Sequence, residues 1–251
     1  MRPRPSNREG FVLSVSQNPE YSPDWDSFPF TLPIARKLGV LKLHRAVTFL
    51  IGENGSGKST FLEAIAVRMD FNETGGEANG NFGVRPVDGG LHDGISLLRS
   101  NFRRPGDCFF MRAETVFDFA TQLDRDAVDD LRLLRRYGNR SLHARSHGEA
   151  FLAIVQNRLK KESFFLLDEP EAALSPNRQL TVLKEIDWLV RAGCQFVIAT
   201  HSPILMSYPD SLMYELGPDG FKPTTWQETE HFQLTKSFLD HPDAFLRHLI
   251  E

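Results

Sequence analysis

Apolar residues along the chain fall into short solid runs separated by longer stretches in which they recur every three or four positions. HRAVTFLIG (44–52), CFFMRAE (108–114), FFLLDEP (164–170) and CQFVIATHS (194–202) each contain a run too short for a helix, so each reads as a buried strand. STFLEAIAVRM (59–69), RDAVDDLRLLRRYG (125–138), SHGEAFLAIVQNRLKK (146–161) and SPNRQLTVLKEIDWLVRAG (175–193) carry the helical spacing. Gly138 and Gly193 are placed as helix stops, Ser175 as an N-cap and Pro176 as a first-turn proline. Buried strands alternating with helices predict an α/β fold: a mostly parallel sheet core flanked by helices.

GFVLSVS (10–16) alternates weakly and predicts a strand outside that series. MYELGPDGFKP (213–223) predicts a hairpin around its Gly-Pro-Asp-Gly turn, so the fold also has an antiparallel β part. HPDAFLRHLIE predicts a short closing helix. Residues 1–10 read as a loose basic tail and residues 17–33 as a connector. Residues 70–94, with seven glycines, read as a flexible loop, and about 95–160 as a small helical lobe. No internal repeat is evident, and residues 1–251 are expected to form a single domain.

Composition sharpens this picture only modestly. The chain is 41% hydrophobic and 25% charged, as in a soluble globular protein. Twenty phenylalanines against four tyrosines suggest a well-buried core. The net charge of −4 does not advertise nucleic-acid binding. Two cysteines, Cys108 and Cys194, are too few for a disulfide framework and lack metal-site spacing. The N-terminus MRPRPSNREG has no apolar signal core, and no run approaches a membrane span, so a cytoplasmic location is expected.

The chemistry concentrates at strand ends. GENGSGKST (52–60) follows an apolar strand and opens a helix. Gly52, Gly57, Lys58 and Ser59 fit G-x-x-x-x-G-K-[ST], in which main-chain N–H groups ring a phosphate and the lysine meets the outer phosphates. The loop residues Asn54, Gly55 and Ser56 and the first-turn Thr60 belong to the same cradle, and the Ser59 hydroxyl is a candidate Mg²⁺ ligand. Asp168 and Glu169 end an apolar strand, where ligands bind in parallel sheets. Two adjacent carboxylates there suit a metal ligand, Asp168, and a residue that orients attacking water, Glu169. His201, after FVIAT, is placed to sense a γ-phosphate, on a strand expected beside the catalytic one. SHGE (146–149) reads as a capping box, Ser146 with Glu149. Its Ser hydroxyl, Gly148 amide and helix start also suit a phosphate carried by a second molecule.

In this order the motifs resemble those of the ABC-type ATPases. GENGSGKST looks like Walker A, SHGE takes the place of the LSGGQ signature, FFLLDEPE looks like Walker B, AALS resembles the D-loop and THS the switch histidine. DEPEAALSP, SHGEAF and FFMRAE together resemble the small stand-alone ATPases of this superfamily, AAA/SMC-like without a coiled coil. The resemblance implies a RecA-like P-loop NTPase fold, ATP and Mg²⁺ as cofactors, and hydrolysis. Lys58, Glu169 and His201 would be catalytic, and Ser59 and Asp168 would hold the metal. It also implies an ATP-dependent homodimer in which Ser146, Gly148 and Glu149 complete the partner's nucleotide site.

Several positions depart from the family pattern: Arg145, His147, Glu149 and Ser175 replace the usual signature and D-loop residues. No glutamine ends CFFMRAE; Glu114 or Gln122 is the candidate replacement. Phe28 or Phe30 is the candidate for stacking on adenine. Arg132, Arg135, Arg136, Arg140 and Arg145 read first as a solvated face, with an acidic partner, nucleic acid or the opposing nucleotide as the alternative. The partner is an unidentified protein. An integral membrane transporter subunit and a DNA-repair or defence setting are the rival contexts, and nucleic acid is disfavoured. A P-loop kinase is the rival reaction; no N-K-x-D guanine-reading motif supports a GTPase.

Overall fold

In the computed structural model, the described residues are 9–69, 89–112, 120–121, 123–125, 127, 132–135, 137, 140–145, 147–158 and 161–250. The basic tail at 1–8, most of the glycine-rich segment (70–88), Glu114, Gln122, Arg136 and Ser146 lie outside them. In chain order the elements are β1 (Val12–Gln17), α1 (Pro33–Arg36), β2 (Leu41–Lys42), β3 (Val47–Ile51), α2 (Lys58–Arg68), β4 (Ile95–Arg99), β5 (Cys108–Arg112), α3 (Arg132–Arg135) and α4 (His147–Arg158). They continue with β6 (Phe164–Asp168), α5 (Pro176–Arg191), β7 (Gln195–Ala199), α6 (Pro203–Met206), β8 (Leu212–Gly217), β9 (Gly220–Pro223), α7 (Glu230–Asp240) and α8 (Pro242–Ile250).

The central sheet has the order β5-β6-β7-β3-β8-β9. Its first five strands are parallel, and β9 closes the edge antiparallel to β8 through the anticipated hairpin. Every residue of β3, β6 and β7 is buried, as their solid apolar runs require. Successive side chains leave a strand on opposite faces, so each strand feeds two cores. Phe49, Ile51, Phe165, Leu167 and Ile198 pack towards Val182, Ile186 and Leu189 of α5. Leu50, Phe164, Leu166 and Val197 pack on the other face towards Phe61, Leu62 and Ile65 of α2 and Val12 and Val15 of β1.

A second, antiparallel sheet has the order β2-β1-β4. One side chain ties it to the central sheet. Gln195, the first residue of β7 and fully buried, accepts N–H bonds from Phe11 and Val12 at 2.7 and 3.0 Å and donates to the Val12 and His44 carbonyls at 2.8 and 2.9 Å.

The segment 95–160 is not helical from its start. Ile95–Arg99 pairs with β1, and Cys108–Arg112 pairs with β6. In β5 the buried Phe110 and Met111 go to opposite cores, which only an extended chain allows. The described helical residues of this segment begin at Ala120. Three helices are additions to the sequence reading: α1, at the end of the connector, α6, just after the switch histidine, and α7, a polar and largely exposed amphipath. Ser175 does sit at the N-cap of α5, but its side chain makes no capping hydrogen bond, while Gly193 adopts the left-handed conformation (φ 89°) just past the helix. Among the described residues no helix is long and apolar enough to cross a membrane.

Candidate nucleotide site

Register brings the chemistry together. Arg112 of β5 lies level with Asp168 of β6, Asp168 with Ala199 of β7, and Ala199 with Leu50 of β3. The carboxyl ends of four strands are therefore in line. The phosphate loop after β3, the acid pair at the end of β6 and the histidine after β7 open into one place.

The loop depends on glycine at two points. Gly52 has φ 140°, and a Cβ there would lie 2.5 Å from the Leu216 carbonyl oxygen of β8. Gly57 has φ 96°, and a Cβ would lie 2.5 Å from Ile34 Cδ1 of α1. The chain then enters α2 at Lys58, whose first-turn amides have no intrahelical acceptor and point at the loop. Lys58 folds back over the loop and is almost fully buried. Its Nζ donates to the Gly52 and Glu53 carbonyls at 2.8 and 3.1 Å. Burial lowers its pKa, while Glu169, Asp168, Glu53 and Glu171 act to keep it charged. Ser56 Oγ, enclosed in the loop, has no hydrogen-bond partner among the described residues.

Ser59 Oγ donates to Asp168 Oδ1 at 3.2 Å, across 109 positions of sequence. The other carboxylate oxygen, Oδ2, faces Arg112 Nε at 3.3 Å. Arg112 also pairs with Glu63 of α2 and lies over the Phe110 ring, its cation 5.0 Å from the centroid. Burial raises the Asp168 pKa, and Arg112 and Ser59 pull it back. For a divalent ion the available donors are hard oxygens, the Ser59 hydroxyl and Asp168 Oδ1, of the kind Mg²⁺ takes while keeping several waters. Among the described residues there is no cluster of three or more His, Cys, Asp or Glu that could hold a metal ion.

Glu169 sits in the left-handed region (φ 47°, ψ 52°), uncommon for a residue with a side chain. Its N–H is tied to the Ala199 carbonyl at 2.9 Å, and its carboxylate stays 42% exposed. Glu169 Oε1 is 3.4 Å from His201 Nε2. Burial first, then the nearby Lys58, depress the His201 pKa, which favours the neutral imidazole, while Glu169 acts in the opposite sense.

Three further residues of this neighbourhood have roles that appear only in the fold: Arg112 and Glu171 lie inside FFMRAE and DEPEAALSP, and His231 lies outside every motif. Arg112 braces Asp168, as above. Glu171, in the 3₁₀ turn Pro170–Ala173, accepts the His201 main-chain N–H, and its pKa is raised by burial. His231 of α7 places Nε2 2.8 Å from His201 Nδ1. A cleft of about 560 Å³ borders the loop, lined by Gly52–Ser56, the β8–β9 hairpin, Glu230 and His231.

The structure brings Lys58, Ser59, Asp168, Glu169 and His201 together, with Asn54, Gly55 and Thr60 in the same loop and helix start. Gly148 is buried in the first turn of α4, and Glu149 pairs at 3.3 Å with Arg178 of α5 in its own chain. Phe30 is buried against Tyr21 and Trp25 and offers no stacking face; Phe28 is 71% exposed. Cys108 and Cys194 are unbridged, and burial pushes the Cys194 thiol up to about 11.

The family model described as "AAA domain, putative AbiEii toxin, Type IV TA system" matches residues 47–142 and 150–207, more than half of the chain and all of the strand-end chemistry. Among solved structures, the chain is similar to "a putative metal-chelate type ABC transporter" in an inward-facing conformation, with 20% identity over 89% of this chain and 87% of that one, at a TM-score of 0.50. It is also similar to cbiO1 from Clostridium perfringens, part of the ABC transporter complex cbiONQ (22% identity, 94% and 98% covered, TM-score 0.49). A third similar structure is the SMC head domain from Thermotoga maritima (15% identity, 85% and 98% covered, TM-score 0.44). No curated protein matches the chain. Strand order and phosphate loop fit a P-loop NTPase fold, and the family match agrees with them: the chain belongs to the family described as "AAA domain, putative AbiEii toxin, Type IV TA system".

Proposed function

We propose that the chain binds ATP with Mg²⁺ and hydrolyses it to ADP and phosphate, and that two copies close face to face around two nucleotides. The observation that carries the reading is the convergence of Lys58, Ser59, Asp168, Glu169 and His201 at the ends of three adjacent strands. Loop amides and the Lys58 ammonium hold the outer phosphates. Ser59 and Asp168 hold Mg²⁺, which when bound neutralises charge on the phosphate oxygens. Arg112, on Oδ2, leaves Asp168 Oδ1 directed at Ser59 and the metal position. Glu169, half open to solvent, orients a water and takes its proton as the water oxygen bonds to the γ-phosphorus and the bridge to ADP breaks. His201 Nε2 steadies the terminal phosphate.

A single pocket leaves that phosphate open to solvent. The start of α4 from a second copy, with Ser146, Gly148 and Glu149, closes it and completes the charge cage. Loss of the bridging phosphate then reopens the dimer. The Glu149–Arg178 pair links the start of α4 to α5. The output passes to a protein partner in the cytoplasm; the altered signature residues weigh against a transporter subunit, and the acidic net charge against nucleic acid.

The test is Glu169→Gln with mass measured in ATP and Mg²⁺. The expected result is a persistent dimer with turnover reduced by about 10²–10⁴-fold, the range for losing a general base. A variant that stays monomeric at every concentration and turns over normally would refute both the dimer and the base.

A further inference from the structure

We propose that His231 is a positioning residue that fixes the tautomer and ring orientation of His201, so that His201 presents an N–H to the terminal phosphate. This rests on the reading above that His201 faces that phosphate, and it adds a residue from α7, outside every motif of the site.

In a neutral imidazole one ring nitrogen donates and the other accepts. His201 Nε2 lies 3.4 Å from Glu169 Oε1, close to the carboxylate but without a formed hydrogen bond among the described residues, and Nδ1 is hydrogen-bonded to His231 Nε2 at 2.8 Å. An ionised carboxylate only accepts, and so does a phosphate oxygen. The proton of His201 therefore belongs on Nε2, leaving Nδ1 as the acceptor. His231 must then donate from its own Nε2. The opposite arrangement would aim a lone pair of His201 at the carboxylate and at the phosphate. The two rings, 4.9 Å apart at 55°, are tilted rather than stacked, which leaves the in-plane nitrogens free to meet.

His231 can hold its partner only if it is itself held, and α7 begins on an anchored turn. Thr229 is fully buried and caps the helix, its hydroxyl accepting from Phe232 N–H at 3.2 Å and donating to the Trp226 carbonyl at 2.8 Å. Trp226 packs edge-on against Phe232 and against the main core, and Thr225 and Glu228 form a capping box just ahead. From the other side, the His201 main-chain N–H is gripped by Glu171. Backbone and ring of His201 are thus constrained by different elements. Outer partners that orient a metal-ligating histidine are commonly worth about 10–100-fold in activity, and the same order is expected for a histidine that meets a phosphate.

Two measurements test the pair. The first uses nucleotide-free protein with ¹⁵N-labelled histidine, His201 being assigned by its disappearance in His201→Gln. Its ring nitrogens are expected to report the Nε2–H form in the wild type and a mixture in His231→Phe. The second is ATP turnover. His231→Phe should lower kcat by about 10–100-fold with ATP affinity within about twofold, whereas His231→Gln, whose side-chain amide can donate to Nδ1, should recover most of the loss. A His201 ring unchanged in His231→Phe, or equal loss in the Phe and Gln variants, would overturn the proposal. Because the ring measurement needs no nucleotide, normal hydrolysis by His201→Gln would refute the phosphate-facing role of His201 while the ring measurement still decides whether His231 orients it.

Discussion

Replacing Gln195 by Leu should separate the two sheets energetically while leaving the volume of the core nearly unchanged. Gln195 meets four main-chain groups: the N–H of Phe11 and Val12 and the carbonyls of Val12 and His44. Phe11 and Val12 are at most 2% exposed, so water cannot replace the lost partner for three of the four. His44 lies nearer the surface and its carbonyl can rehydrate. At about 1–2 kcal/mol for each buried group left unpaired, the three cost about 3–6 kcal/mol. The apolar gain of the leucine brings the expected loss to the lower end, about 3 kcal/mol. That is a large share of the roughly 5–15 kcal/mol of a typical domain. Urea unfolding followed by circular dichroism reads it directly, with an unchanged m-value confirming that the unfolded reference is the same. Gln195→Ala should cost more, because it adds a cavity. A Leu variant within about 1 kcal/mol of the wild type would show that the β1 sheet is held by its apolar face alone.

Further expectations follow from the site. Lys58→Ala removes the ammonium from the Gly52 and Glu53 carbonyls and from the phosphates, and should abolish measurable ATP binding in a fluorescent-nucleotide titration. Gly57→Ala forces a Cβ to 2.5 Å from Ile34 at φ 96° and should cost at least about 1–2 kcal/mol of stability, with weaker nucleotide binding. Arg112→Met leaves a buried Asp168 without its cation and should lose about 3–5 kcal/mol in thermal or chemical unfolding, the usual result of breaking a buried pair. His201 has a depressed native pKa, so the unfolded chain binds its proton more readily. Its contribution is complete above about pH 6.5 and is lost as the pH falls towards the native value, so wild-type stability should drop more steeply than that of His201→Gln on acidification.

What could be read from the sequence was whatever chemistry is written locally. The glycine loop declares itself because strand, turn and helix are contiguous in HRAVTFLIG and GENGSGKST. Asp168 and Glu169 are conspicuous because two charges end an apolar run. The partners these residues find across the fold left no local trace. Arg112 is an ordinary strand-end arginine until register sets it beside Asp168. Glu171 sits inside DEPEAALSP, but only folding places it under His201. His231 lies 30 residues beyond His201, on a helix whose polar sequence, ETEHFQLTKS, offers no apolar run to mark it. Gln195 was legible as part of a buried strand, but its four bonds belong to chain segments more than 150 positions away. β4 leaves little trace in the sequence because ISLLR gains its strand character from pairing with β1, with two of its five residues exposed.

The central claim is that the strand-end cluster hydrolyses ATP using Glu169 as base. Its most direct test is release of labelled phosphate from γ-labelled ATP in a single turnover, comparing wild type with Glu169→Gln, with and without Mg²⁺. The account predicts Mg²⁺-dependent release by the wild type and tight binding with almost no release by the variant. Equal release by both, or none by a wild type that binds ATP and Mg²⁺ as a dimer, would contradict it.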